Sequence, residues 1–256
     1  MTVKSAGIIG YGHFGAFLYT LIKRFQPELE LFVYSPEQAI DDDNFHTLDT
    51  VARADLVSLA VPISAYASVI EAIEPQLESH SVVIDIATVK HYTASLLRSA
   101  LPGARFLSIH PMFGPASYTK RHFDVSGFRI ALTDSNLGDT ELDALQTWVQ
   151  SLGFEVIRMS AEEHDRVLAE TLFLTHYVGQ VISAGQFQRS EIDTVSFAYL
   201  MDAVDSVRND TDLFVDVSLY NPYCAEVIER FDAAEHDVKR RYLSKLRRAG
   251  IDRSEG

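Results

Sequence analysis

The segment Ser108–Pro115, SIHPMFGP, sets one histidine, His110, between an apolar run and a turn built from two prolines and a glycine. A neutral imidazole with an unperturbed pKa near 6.5 is suited to take a proton at neutral pH. Pro111 biases His110 towards an extended conformation and ends the apolar run. On position alone, the ring serves equally well to cap a strand end through hydrogen bonds. Far upstream, GIIGYGHFGAFL carries Gly10-x-Gly12-x-x-Gly15. At this spacing the first glycine allows a tight turn, the second lets the backbone approach a pyrophosphate, and the third lets a helix pack closely on a strand.

Both motifs need a scaffold. Seven short apolar runs read as strands: Ala6–Gly10, Leu29–Ser35, Leu56–Pro62, Ser81–Ala87, Arg105–Pro111, Phe128–Thr133 and Phe154–Met159. Several are apolar on both faces, as in a sheet covered on both sides. Helix-length segments lie between them: Gly15–Phe25, Ala65–Leu77, Tyr92–Ala100 and Asp139–Leu152. This alternation predicts a mostly parallel, doubly wound sheet. From Ser160 the pattern is helical throughout, opening on Ser160 and Glu163 with the spacing of a capping box. The expected architecture is α/β: an N-terminal doubly wound Rossmann domain over residues 1–158 and a C-terminal all-helical domain over 159–256. The tail Arg247–Gly256 is expected to fray.

Composition narrows the partners. The chain has 256 residues, 47% of them apolar, and a formal net charge of −14. That charge argues against nucleic acid or an anionic membrane, though an acidic protein can still hold a local cationic pocket. The one cysteine, Cys224, cannot form an internal disulfide. With no charged-then-apolar leader before the first strand, this fits a cytoplasmic protein. The nine histidines are scattered, without the spacing of a metal site.

In its strand–loop–helix context the glycine motif predicts a dinucleotide site. Gly10, Gly12 and Gly15 form it, and the helix start supplies amides for the phosphates. His13 and Phe14 lie within the loop. Val61 and Pro62, at the end of the third strand, complete the candidate set. At the end of the second strand, where an acid would bind the ribose of NAD, stands Ser35. Serine accepts a 2′-phosphate without repulsion, which leans towards NADP over NAD. Against that, no arginine follows, and Glu37 lies nearby.

The segments IHPMFGPAS, DIATVK (Asp85–Lys90), SAEEHDRVLAETLFLTH (Ser160–His176) and NDTDLFVDVSLYNPY (Asn209–Tyr223), with the early glycine motif, resemble the prephenate/arogenate dehydrogenase family, the TyrA-type enzymes of tyrosine biosynthesis. The resemblance implies oxidative decarboxylation of a cyclohexadienol. Hydride goes to a nicotinamide, the hydroxyl proton to a base, and carbon dioxide leaves as the ring becomes aromatic. His110 matches the family's catalytic histidine. Thr88 stands where many members carry a serine bonded to the substrate hydroxyl or to the histidine. Lys90 is a candidate anion or loop anchor. His176 matches a substrate-binding histidine, and Asp165 a structural acid. Eleven residues apart, these two return to nearly one helical face at about 100° per residue. His164, on another side of the helix, is expected as an exposed helix-start residue.

Prephenate-preferring members place an arginine where this chain has Asp205, with Asp202 one turn earlier. Carboxylates repel a keto acid and attract an ammonium, which leans towards arogenate. The alternative is that both acids pair with Arg208 on a solvated face. The family also implies a homodimer through the helical domain, and 256 residues leave no room for a mutase or regulatory module. Two other readings stand beside this one: a Rossmann dehydrogenase of the β-hydroxyacid or imine-reductase type, and a non-catalytic NADP(H)-binding sensor.

Overall fold

The computed structural model describes residues 3–36 and 43–249. Glu37 and residues 250–256 of the tail lie outside the described residues. Two compact units divide the chain, Met1–Asp165 and Arg166–Gly256.

The first unit is built on a seven-stranded sheet: β1 (Ser5–Ile9), β2 (Glu30–Tyr34), β3 (Leu56–Leu59), β4 (Val82–Asp85), β5 (Arg105–Pro111), β6 (Arg129–Ser135) and β7 (Glu155–Arg158). Their order is β2-β1-β3-β4-β5-β6-β7. The first five are parallel, β6 runs antiparallel to β5, and β7 is parallel to β6. All seven expected runs are strands. The alternating helices are α1 (His13–Phe25), α2 (Leu48–Ala52), α3 (Tyr66–Ile73), α4 (His91–Ala100), α5 (Pro115–Lys120) and α6 (Asp139–Ser151). In one core cluster Ile9, Leu59, Val83 and Phe106 pack with Tyr66, Ile70 and Leu97. In another, Ile8, Leu31 and Val33 pack with Leu18 and Ile22. Adjacent strand residues thus bury opposite faces, which is why the runs are apolar without alternation.

α1 buries Phe17 and Leu21 and places Lys23 and Arg24 in its last turn, where the helix dipole favours cations. The segment after His110, expected to be only a tight loop, contains α5. Pro115 occupies its first turn, where the missing N–H costs nothing. The Gly114 amide donates to Ser117 Oγ at 3.1 Å.

The division between units differs from the expected 158/159 boundary. It falls at 165/166, inside helix α7 (Ala161–Leu168). The reason is Asp165, whose two carboxylate oxygens accept the backbone N–H bonds of Lys90 at 2.9 Å and His91 at 2.8 Å. Those bonds tie the start of α7 to the α/β unit.

Beyond α7 the chain passes through a π-helical segment, Ala169–Phe173, into α8 (Leu174–Ala184), α9 (Val195–Val207), α10 (Thr211–Tyr220) and α11 (Cys224–Arg248). Thr194 caps α9 by accepting the Phe197 N–H at 3.2 Å. Phe173 stacks on Phe214 with ring centroids 5.5 Å apart. No helix among the described residues is long and apolar enough to cross a membrane.

Candidate active site

The sheet order reverses at β1, so the carboxyl ends of β1 and β3 open the crevice where doubly wound sheets take ligands. The glycine loop follows β1. Gly10 has φ of +100°, and a Cβ there would meet the Ala60 carbonyl. A Cβ on Gly15 would collide with the Gly10 carbonyl oxygen. Gly12 differs, because nothing lies within 4 Å of its Cβ position. Gly12 also caps α1 and offers no side-chain cap to the first-turn amides. An open backbone with uncapped amides at a helix N-terminus fits a pyrophosphate. His13 is exposed at the start of α1, and Phe14 packs into the aromatic cluster around Phe17. Val61 is half-buried and Pro62 exposed, just past β3. Ser35 is half-buried just past β2.

His110 lies at the carboxyl end of β5, paired with Ala131 of β6, just after a register shift between Ser108 and Ile109. Such irregularities bend a strand and re-aim its side chains. Phe113, three residues on, pins the following loop by stacking on Phe128 at 4.7 Å and on Phe154 at 5.5 Å. The His110 ring is buried. Burial first, then the neighbouring His164 and Lys90, holds its pKa well below 6.5. The ring is therefore neutral at neutral pH.

Its hydrogen-bond partner corrects a sequence expectation. His164 is not an exposed helix-start residue but only 3% exposed. Its Nε2 lies 3.0 Å from His110 Nδ1, and its own Nδ1 lies 2.8 Å from Asp165 Oδ1. Asp165 is fully buried and holds the Lys90 and His91 amides besides. Helical periodicity reveals which residues share a face, but not that two adjacent positions of α7, His164 and Asp165, are both enclosed.

Of the two roles expected for Lys90, anion anchor or loop anchor, its surroundings fit the second, because it is fully buried. Its ammonium lies 2.8 Å from Asp85 Oδ2 and donates to the carbonyls of Ile109 at 2.8 Å and Asp85 at 3.3 Å. An ammonium has three N–H groups, so none remains for a ligand. Asp85 is in turn saturated by the Tyr66, Thr93 and Ser108 hydroxyls and the Ala87 amide. Burial lowers the Lys90 pKa, against the pull of Asp85 and Asp165. This ionic cluster braces β4, α4 and the carbonyl just before His110. Thr88 is half-buried in the bend after β4. Asp85 and Ser108 are in register, so the Thr88 bend and His110 leave adjacent strands at the same edge.

In the second unit His176 is buried and lies parallel to Phe214, with ring centroids 6.4 Å apart. Burial lowers its pKa, opposed by Asp210. Its Nδ1 is buried without a hydrogen-bond partner, as are Gln180 Nε2 and Ser183 Oγ on the same helix. The π-helical segment interrupts the regular period on which Asp165 and His176 would share a face, so that geometric argument does not hold.

Asp202 and Asp205 are ion-paired on an exposed face of α9. Their side chains are 68% and 46% exposed on α9. Arg189 binds both, at 2.7 Å and 3.1 Å, and Arg208 lies 3.2 Å from Asp205. The two flanking guanidiniums oppose the local negative field expected to select an ammonium. Among the described residues no group of three or more His, Cys, Asp or Glu is placed to hold a metal ion.

Residues 34–158 match the family model described as prephenate dehydrogenase, nucleotide-binding domain, and residues 181–253 match a TYRAAT1-like C-terminal domain. Arogenate dehydrogenase 1 and arogenate dehydrogenase 2 of Arabidopsis thaliana, both chloroplastic, are 28% and 29% identical to the chain, each over 93% of it. The chain spans 39% of the length of the first and 70% of the second. Among solved structures, prephenate dehydrogenase from Aquifex aeolicus, in complex with hydroxyphenyl propionate and NAD+, superposes with a TM-score of 0.73 at 22% identity, covering 98% of this chain and 99% of that one. At that identity the superposition supports the fold, and the sequence matches show that residues 34–158 are similar to the nucleotide-binding domain of prephenate dehydrogenases and that most of the chain is similar to arogenate dehydrogenases.

Proposed function

We propose that the protein catalyses NAD(P)-dependent oxidative decarboxylation of arogenate to tyrosine, or of prephenate to 4-hydroxyphenylpyruvate. The observation that carries this reading is His110: a buried, neutral imidazole at the carboxyl edge of the sheet that also bears the glycine loop. A bound nicotinamide dinucleotide would supply the hydride acceptor. The chain's own residues do the rest. The Gly10–Gly15 loop and the α1 amides hold the pyrophosphate, and Ser35 faces the ribose. His110 receives the proton of the substrate hydroxyl, with Thr88 as a further hydroxyl partner. Departure of carbon dioxide makes the ring aromatic, so little is asked of the protein beyond alignment and removal of that one proton. His176, whose buried Nδ1 lacks a partner, is the substrate contact from the helical unit.

Arogenate is favoured because the Arabidopsis relatives are arogenate dehydrogenases, not because of Asp202 and Asp205. NADP is favoured because Ser35 replaces the expected acid at the end of β2. A homodimer through the helical unit is supported by the apolar side chains exposed there, including Tyr199, Leu219 and Tyr242. The lone, buried Cys224 suits a cytoplasmic protein.

The test is initial-rate reduction of NADP and of NAD, each with arogenate and with prephenate, for the wild type and His110→Asn. Turnover that falls by about 10²- to 10⁴-fold in the variant, with cofactor affinity retained, supports the reading. Tight cofactor binding without turnover on either substrate would favour a sensor or another dehydrogenase.

A further inference from the structure

Three side chains lie in a row, His110, His164 and Asp165, and their hydrogen bonds leave little freedom in where the protons sit. Both oxygens of Asp165 accept backbone amides, which can only donate. The third bond, at 2.8 Å between Asp165 Oδ1 and His164 Nδ1, is satisfied when Nδ1 carries the proton. With one proton on each imidazole, the other nitrogen of His164, Nε2, is then a bare acceptor. It faces His110 Nδ1 at 3.0 Å, so in that arrangement His110 Nδ1 donates. His110 is neutral and therefore has its lone pair on Nε2.

We propose that His164 is a positioning residue that fixes His110 in the tautomer with Nδ1 protonated and Nε2 bare, with Asp165 as the terminus that sets the direction of the chain. When His110 Nε2 takes the substrate's hydroxyl proton, no other proton need be lost. The positive charge formed on the ring is met through His164 by the Asp165 carboxylate. The same logic orients a base through a carboxylate in hydrolases, but here a second imidazole intervenes, because Asp165 is already bonded to the amides of Lys90 and His91. The charged and titratable groups facing His110 are His164 and Lys90. Asp165 stands behind His164, and Asp85 behind Lys90. Lys90 donates to Asp85 and to the Ile109 and Asp85 carbonyls, so it does not compete for either His110 nitrogen.

The catalytic part of this inference rests on the proposed function, but the tautomer does not, which allows the two to be tested apart. Imidazole ¹⁵N spectra of the full chain, without substrate, report which nitrogen of each histidine is protonated. His110 is assigned by its loss in His110→Asn. The expected wild-type state is Nδ1–H at neutral pH. In His164→Leu, which can neither accept nor relay, His110 is expected to move towards the Nε2–H form. Its kcat should fall about 10- to 1,000-fold with NADP affinity unchanged. His164→Gln, whose amide can accept from His110 and donate to Asp165, should recover much of the rate and the native tautomer. Finding Nε2–H in the wild type overturns the proposal, whether or not the protein turns over arogenate. So does a His164→Leu protein with the native tautomer and undiminished kcat. If His164→Leu does not fold, the wild-type spectrum and His164→Gln decide: a Gln variant with native tautomer and rate supports the relay, and one whose His110 has reverted to Nε2–H refutes it.

Discussion

At the scale of single residues, the environment of His110 sets a pH dependence whose sign can be worked out. Burial, His164 and Lys90 hold its pKa well below 6.5. With His110 as the proposed base its neutral form is the active one, so kcat/KM should stay level as pH falls through 6.5 and decline only at more acid pH. Stability follows the same group: with the folded pKa depressed, the contribution of His110 is fully present above about pH 6.5 and is lost as pH falls below it. A pH–rate profile with an acid limb at or above 6.5 would contradict this environment. A second expectation comes from the corrected acids. Asp202 and Asp205 are exposed and paired with Arg189 and Arg208, and exposed ion pairs contribute little. Asp202→Ala with Asp205→Ala should leave KM for arogenate within about threefold of the wild type; a larger rise would restore them to the binding site. His110 and Asp165 were legible in the sequence because each sits in a distinctive motif at a strand end or helix start. His164 and Lys90 were not. Burial of a polar residue depends on what encloses it, and the enclosing groups here, from β4, β5 and α4, are distant in sequence from α7.

At the scale of elements, the glycine loop separates two roles that one motif combines. Gly15 has no room for a side chain against the Gly10 carbonyl, whereas Gly12 faces open space. Gly15→Ala must therefore push α1 off β1, and its thermal midpoint should drop by several degrees, corresponding to about 1–3 kcal/mol of overpacking. Gly12→Ala should melt close to the wild type but lose cofactor affinity by about tenfold or more, as one methyl takes the place of a phosphate oxygen. Calorimetry and cofactor titration distinguish these cases, and equal destabilisation of both variants would sink the assignment. The strands were readable because β1 to β5 are covered on both faces and must be apolar throughout. The mostly parallel run followed from the alternation with helices. Other features escaped, two of them near the site. A six-residue helix that opens on Pro115 has the composition of a turn. The unit boundary inside α7 depends on one buried carboxylate gripping a loop about 75 residues upstream in the chain.

At the scale of the whole molecule, the helical unit leaves apolar side chains in ordered rows. Val195 and Tyr199 on α9, Val215 and Leu219 on α10, and Val238, Tyr242 and Leu246 on α11 each recur at intervals of four, with Tyr199 71%, Leu219 72% and Tyr242 65% exposed. Single exposed apolar residues need no explanation, but repeated stripes on successive helices do. A second copy would cover these rows, because a two-fold interface brings the same stripes together. Electrostatics acts against it. Each chain carries a formal charge of −14, so association concentrates like charge, and added salt should tighten the pairing by screening it. Sedimentation at micromolar concentration should therefore show a dimer whose dissociation constant falls as salt is raised from about 20 to 200 mM. Leu219→Glu and Tyr242→Glu should shift the protein to monomer, with the α/β unit still binding cofactor. A wild type that stays monomeric at every salt concentration, or a dimer indifferent to both substitutions, would mean that these rows face something other than a second copy.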